Sequence, residues 1–165
     1  MRPLLPLALV TAFLTFVPGN ASSEEVMVGG TGAAQGLLSR LAPHFASAYP
    51  GDSLKPVPGL GSSGPGHWQT QWEKDLPDCE RIDLGLWEDP HRNTWVNKIN
   101  LAVHKADCPV VLVAHSLGCL AVAWWAEFEQ PADGKVLGAL LVAPPDVEVR
   151  PIDRRLTRFA PDRKS

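Results

Sequence analysis

The stretch PVVLVAHSLGCLAVAWWAE, Pro109 to Glu127, holds the residues best placed to do chemistry. Val110–Ala114 is a continuous apolar run behind a proline, which predicts a buried parallel strand. Leu117 to Glu129 predicts a helix that stops near Pro131. Between them, Ala114-His115-Ser116-Leu117-Gly118 matches the nucleophile elbow G-x-S-x-G with alanine in the first place. Such a turn is tight and needs small residues. It lifts the serine to the carboxyl end of the sheet, and Gly118 lets the helix approach the strand. The helix N-terminus favours a developing negative charge. The expected chemistry is acyl transfer through Ser116, with the Leu117 N–H as one oxyanion donor. The second donor should come from the loop after the first strand, either Leu60 or Gly61.

A serine nucleophile needs a base, and the base needs an orienting acid. Behind an elbow of this kind the chain order is Ser, Asp, His. The five histidines, His44, His67, His91, His104 and His115, all precede Ser116. His115 is next to the serine, but adjacent side chains at such a turn point apart, so it is read as lining the pocket. His67, in the loop before Trp68, is read the same way, with a structural hydrogen bond as the alternative. His91 and His104 lie on a helix and are expected to be solvated, and His44 falls in an N-terminal helix. Asp146 follows the strand after the serine. The expectation is a serine elbow without its acid and base, and low or no activity.

The elements that must carry these groups alternate. Leu54–Val57 predicts a strand, Gly66 to Asp75 a short helix with Trp68 and Trp72 one turn apart, and Arg81 to Leu86 a strand. Asp89-Pro90 opens a helix running to about Lys105, with Trp95, Ile99, Ala102 and Val103 inward. Leu137 to Ala143 is the last buried strand, ended by Pro144-Pro145. The fold class is α/β, a three-layer parallel sheet with helices on both faces, and incomplete. Pro56 and Pro58 would remove donors from a central ladder. The edge of Leu137–Ala143 should be exposed. The tail, 148–165, has few apolar residues and many arginines and should be loose.

The front of the chain reads differently. Arg2, the apolar run Leu4 to Val17 and the small residues Gly19-Asn20-Ala21 predict a secretory signal over residues 1–23, hence export, and no stable membrane insertion once it is cleaved. An uncleaved anchor is the rival reading. Residues 24–57 suggest a strand at Val26–Val28, a turn at Gly29-Gly30-Thr31-Gly32, a helix with Leu37, Leu38, Leu41 and Phe45 on one face, a stop at Tyr49-Pro50-Gly51, and a second strand. A glycine turn before a helix suits an anion, but this one lacks the lysine of a P-loop, and a purely structural turn is the alternative. At 165 residues there is room for one modest core, and a net charge of -3 gives no case for nucleic acid. Cys79, Cys108 and Cys119 are odd in number and widely spaced, so they are read as free, mostly buried thiols, with one bridge as the alternative if the chain is exported. No cofactor or metal is implied.

Two resemblances extend this reading. PGLG and GPGHWQ within Pro58–Gln69, W-x-x-P at Trp87–Pro90, VLVAHSLG at Val111–Gly118 and LLVAPPD at Leu140–Asp146 resemble the small serine α/β-hydrolases of the retinoblastoma-binding-protein-9-like group, over about Pro58–Ser165. That resemblance implies an esterase-type serine hydrolase acting on a small ester. It places the triad acid one strand later than Asp146, which is thereby read as a loop cap, and so places the triad Asp and His beyond residue 165. Met1 to about Gly64 resembles the start of a phosphate-type periplasmic substrate-binding protein. There, the VGGTGA and GSSG segments imply oxyanion contacts from Gly30, Thr31, Gly32, Ser62, Ser63 and Gly64, and periplasmic localisation. Both patterns meet in PGLGSSG, Pro58–Gly64. The implied organisation is a signal over 1–23, a strand-helix-strand unit over 24–57, a truncated hydrolase domain over 58–147 and a tail over 148–165. A fragment that binds phosphate or another oxyanion, or a non-functional gene fusion, are the alternatives.

Overall fold

The computed structural model describes residues 12–14, 40–41, 43–44, 47–48, 50–131 and 134–161. Its four-stranded sheet comprises β1 (Ala12–Leu14), β2 (Ser53–Val57), β3 (Val110–His115) and β4 (Val136–Val142), in the order β1-β4-β3-β2. β2, β3 and β4 run parallel, and β1 lies antiparallel on β4.

β3 is central because it can be apolar on both faces. Its side chains alternate, so Val110, Leu112 and Ala114 meet one layer while Val111 and Val113 meet the other. On the first face lie α2 (Arg92–Lys105) and α3 (Leu117–Glu129), bringing Trp95, Ile99, Val103 and Trp125. On the second lies α1 (Trp68–Asp75), bringing Trp68 and Trp72 in edge-to-face contact at 5.2 Å. A buried indole N–H usually finds an acceptor. Trp95 donates to the Gly85 carbonyl and Trp125 to Asn100 Oδ1, at 3.0 and 3.1 Å. α3 ends at Gln130 in the left-handed region, φ 41°, immediately before Pro131.

β4 reaches the core through a bulge. Val110 pairs with Val136, but Val111 pairs with Gly138. Leu137 is the extra residue and turns outward. Without that insertion the alternation of β4 would present the wrong face.

The prolines of the first parallel strand cost less than the sequence suggests. The β2–β3 register is unbroken from Ser53↔Val110 to Val57↔Ala114. The N–H and C=O of one strand residue point to the same side. Leu54 and Pro56 use theirs on the segment 78–82, so the missing donor of Pro56 faces outward. Leu54 N–H donates to Asp78, Glu80 N–H to Leu54 and Ile82 N–H to Pro56, at 2.8, 3.0 and 2.9 Å. The alternate donors, from Pro56 and Pro58, do not exist. The expected strand Arg81–Leu86 is therefore not formed. This segment runs beside β2 with a single bridge, Leu54 to Cys79, and then turns at Gly85 and Leu86, both at positive φ.

Two further expectations change. Ala12–Leu14, inside the predicted signal, pair with Leu141, Leu140 and Ala139, so the outer edge of β4 is covered there. An open edge offers backbone groups to any apolar extended segment. The described part of the tail is not loose throughout. Residues Arg154–Phe159 form a 3-10 turn, which puts positions three apart on one side. Leu156 and Phe159 are thereby buried against Trp95 and Trp125. Trp124 donates to the Phe159 carbonyl at 2.8 Å, and Phe159 meets Trp95 edge-on at 5.4 Å. Two of its arginines are paired, Arg155 with Asp153 and Glu88, and Arg158 with Asp89. Val26–Val28 and the turn Gly29–Gly32 lie outside the described residues, as do Leu37, Leu38 and Phe45 of the N-terminal helix. Leu41 packs against the Trp68–Trp72 side of the core.

Phe159→Ala should cost about 3–5 kcal/mol in denaturant unfolding, as for a core aromatic. A loss well under 1 kcal/mol would return the tail to a loose segment.

Candidate active site

Ser116 sits between β3 and α3 with φ 52° and ψ −126°. That backbone region is nearly closed to residues with a side chain and is strained. Neighbours hold it there: the Ser116 N–H donates to the Val142 carbonyl, and the Cys119 N–H donates to the Ser116 carbonyl, both at 2.9 Å. Two glycines make the surroundings possible. A Cβ on Gly118 would stand 2.2 Å from the Val57 carbonyl oxygen and 2.6 Å from that of Pro58. A Cβ on Gly59 would stand 2.8 Å from Ser116 Cβ and 3.2 Å from the Leu117 nitrogen. The loop after β2 is thus pressed directly onto the serine turn.

That contact separates the two donors named for the oxyanion. The Gly61 N–H is already used, donating to the Trp87 carbonyl at 3.1 Å, and the Ser62 N–H closes a turn onto Gly59, also at 3.1 Å. The N–H groups of Leu60 and Leu117 have no acceptor among the described residues. Both belong to segments that meet at Gly59 and Ser116.

The serines of the same loop face inward. The Ser63 hydroxyl donates to Gln69 Oε1 at 2.6 Å. Arg81 donates to Ser62 Oγ at 3.3 Å and to the Ser63 carbonyl at 2.8 Å. Arg81 is itself ion-paired with Glu73. The two hydroxyls expected to contact an oxyanion are therefore engaged by Gln69 of α1 and by Arg81, and Gly64 is exposed beside them. Gly30, Thr31 and Gly32 lie outside the described residues.

His67 and His115 come together, with ring centroids 4.6 Å apart and edge-to-face. His67 Nδ1 accepts the Gln69 N–H at 3.2 Å and so caps α1. An accepting Nδ1 leaves the proton on Nε2, which is buried with no acceptor. Burial above all, then the charges possible on His115 and Arg81, lowers the His67 pKa to about 4. Burial lowers that of His115 as well. Asp146 accepts the N–H groups of Glu148, Val149 and Arg150, each at 2.9 Å, which hold its carboxyl below the usual range. It is a loop cap. Cys79, Cys108 and Cys119 are free thiols. Burial pushes the Cys119 thiol up to about 12, and its Sγ rests on the Val142 carbonyl, so it is inert beside the serine. Among the described residues no three His, Cys, Asp or Glu side chains gather as a metal site.

Gly59 and Gln69 carry roles that sequence reasoning missed. Gly59 is one glycine among several in PGLGSSGPG, and only the approach of Ser116 singles it out. Gln69 stands in the GPGHWQ segment, but nothing in its type shows which carbonyls it reaches.

This strand, strained serine turn and helix, set in a parallel sheet covered on both faces, define an incomplete α/β-hydrolase fold. A family model described as Serine hydrolase matches residues 55–165, and the chain belongs to that family. The crystal structure of a YdeN-like hydrolase from Pectobacterium atrosepticum is similar, with a TM-score of 0.54 and 31% sequence identity over 66% of this chain. The chain spans 56% of the length of that protein. No match was found among curated proteins.

A folded-state pKa below the ordinary value means that the neutral imidazole favours folding. In the unfolded chain His67 takes up its proton near 6.5, and in the folded chain only near 4. Its contribution is present above pH 6.5 and is lost as pH falls through that window. Protonation also ends the cap, because Nδ1 can no longer accept. The thermal midpoint should fall between pH 7 and pH 4.5, and His67→Asn, which can still cap, should flatten part of that slope. His115, whose pKa burial also lowers, contributes in the same direction. An unchanged slope in the variant would remove His67 from this role.

Proposed function

We propose that Ser116 is the nucleophile of an esterase-type acyl transfer. The observation that carries this reading is its strained turn, with the two acceptor-free N–H groups of Leu60 and Leu117 on the segments that meet there. In the reaction, Ser116 Oγ would bond to the carbonyl carbon of a small ester as its proton passes to a base. The carbonyl oxygen would become an oxyanion facing the Leu60 and Leu117 N–H groups. The C–O bond to the alcohol would then break and water would release the acid. The motifs from PGLG to LLVAPPD support placing the chain with the retinoblastoma-binding-protein-9-like group, because they fall on the elements around Ser116.

The weak point of the chemistry is the base. No histidine follows Ser116, His67 Nδ1 is used in capping α1, and Asp146 is used as a loop cap. A serine lacking its base keeps only the residual catalysis of the oxyanion hole and substrate binding, roughly 10³–10⁴-fold over water. We therefore propose low turnover for these 165 residues. We also propose export, resting on Arg2, the apolar run Leu4–Val17 and Gly19-Asn20-Ala21, and a front segment acquired by fusion, resting on the VGGTGA and GSSG patterns. A mature N-terminus between residues 20 and 24 in the exported chain would bear out the first. The competing reading, an oxyanion-binding fragment, is disfavoured by the inward use of Ser62 and Ser63.

Intact mass after exposure to a fluorophosphonate should show one adduct that forms slowly, is absent in Ser116→Ala, and forms faster when free imidazole is added as a base. Labelling that survives Ser116→Ala, or none at all in the folded chain with imidazole present, would overturn the assignment.

A further inference from the structure

Gln69 is a neutral amide with no place in the chemistry above, yet it is completely buried, at 0% exposure. A buried amide is costly unless its donors and acceptor are all met. Its Nε2 donates to the Val113 carbonyl at 2.7 Å and makes a longer contact to the Val57 carbonyl at 3.4 Å. Its Oε1 accepts from the Ser63 hydroxyl at 2.6 Å. These three partners lie on the two segments that must be held together for catalysis. Val57 is the last residue of β2, directly before Pro58, Gly59 and Leu60. Ser63 lies at the far end of that same loop. Val113 is three residues before Ser116 on β3.

The sheet alone does not fix this geometry. The register between β2 and β3 ends at Val57↔Ala114, and beyond it the ladder gives way to the packed contact of Gly59 on Ser116. Gln69 reaches across that last rung from α1. Its neighbours reinforce the hold on the loop: the Thr70 hydroxyl donates to the Ser63 carbonyl at 3.1 Å, and Arg81 holds Ser62 and the Ser63 carbonyl while donating to Thr70 Oγ1 at 2.6 Å. His67, two residues before, receives the Gln69 N–H, which fixes the start of the helix that presents the amide. The loop bearing Leu60 is thus tied at both ends, and one side chain ties it also to the strand bearing Ser116.

We infer that Gln69 is a positioning residue that sets the separation between the Leu60 N–H and Ser116 by bridging the carbonyl ends of β2 and β3 and the Ser63 hydroxyl. It touches neither substrate nor reacting atoms. The inference rests on the reading of Ser116 as nucleophile and Leu60 as oxyanion donor. Small displacements of such groups are costly to rate, and a shift on the order of 1 Å can lower it about a hundredfold.

The test is Gln69→Met, which keeps length and apolar volume but loses all three contacts, in the full chain. Two readouts are needed. Hydrogen exchange followed by mass spectrometry should show faster exchange confined to peptides covering residues 58–64 and 114–118, with α2 and the Phe159 turn unchanged. The maximal rate of fluorophosphonate labelling at Ser116, with imidazole present, should fall at least about tenfold, while the probe concentration for half-maximal rate changes little. Exchange that rises throughout the sheet, or stays as in the parent chain, overturns the inference. A local exchange change with no Ser116 labelling in the parent chain upholds the bridge and overturns the nucleophile reading instead. Ser63→Ala removes one partner only. It should produce a smaller change in the same two peptides, and it decides the matter if Gln69→Met does not fold.

Discussion

The active end of this molecule depends on one close backbone approach. The first turn of α3 passes so near the end of β2 that a single methyl on Gly118 would overlap the Val57 and Pro58 carbonyls. That approach brings the loop after β2 onto the serine turn, where Gly59 in turn has no room for a side chain. The strained backbone of Ser116 persists because the structure on both sides leaves it no alternative: Val142 takes its N–H, α3 begins on its carbonyl, and Gly59 blocks relaxation toward β2.

Behind this contact stands a core divided by the sheet. The tryptophans serve both halves, Trp68 and Trp72 on one face, Trp95 and Trp125 on the other. Trp95 also links the sheet to the C-terminal turn through Phe159, and to the segment that follows 78–82 through the Gly85 carbonyl. The packing that stabilises the domain therefore extends to the Gly85–Trp87 loop, whose Trp87 carbonyl occupies the Gly61 N–H. In this way the core decides which of two adjacent backbone donors is left without an acceptor among the described residues.

Polar groups close the other side. Gln69, Ser63, Thr70, Arg81 and Glu73 form a connected set around the loop that carries Leu60. Buried networks of this kind are favourable only when every member is satisfied. His67 is the exception, with a buried Nε2 beside His115 that finds no acceptor. Its lowered pKa is the electrostatic mark of the same burial.

Local signals were enough to read the serine turn, β3, α2, α3 and the course of β4. Their apolar patterns, their Pro boundaries and the A-x-S-x-G spacing act within a few residues of each other. Asp146 caps near neighbours, residues 148–150, but only the family resemblance set it apart from the triad acid. What the sequence could not decide were properties of pairs far apart in the chain. Arg81–Leu86 looks like a strand, but the donors it would need are missing at Pro56 in β2 and at Pro58 just beyond it. The tail looks polar until Leu156 and Phe159 meet Trp95 and Trp125. Ser62 and Ser63 look available for a ligand until Arg81 and Gln69 reach them. The choice of Leu60 over Gly61, and the bridge from Gln69 to two strand ends, arise only when α1 and the Trp87 loop close over the same crevice. The sequence by itself determined that a serine would stand on a sharp turn between a buried strand and a helix, because short-range sterics and hydrophobic period dictate that. Tertiary structure alone decided which groups surround it, because hydrogen bonds are satisfied by whatever folding brings within about 3 Å, not by what lies nearby in the chain.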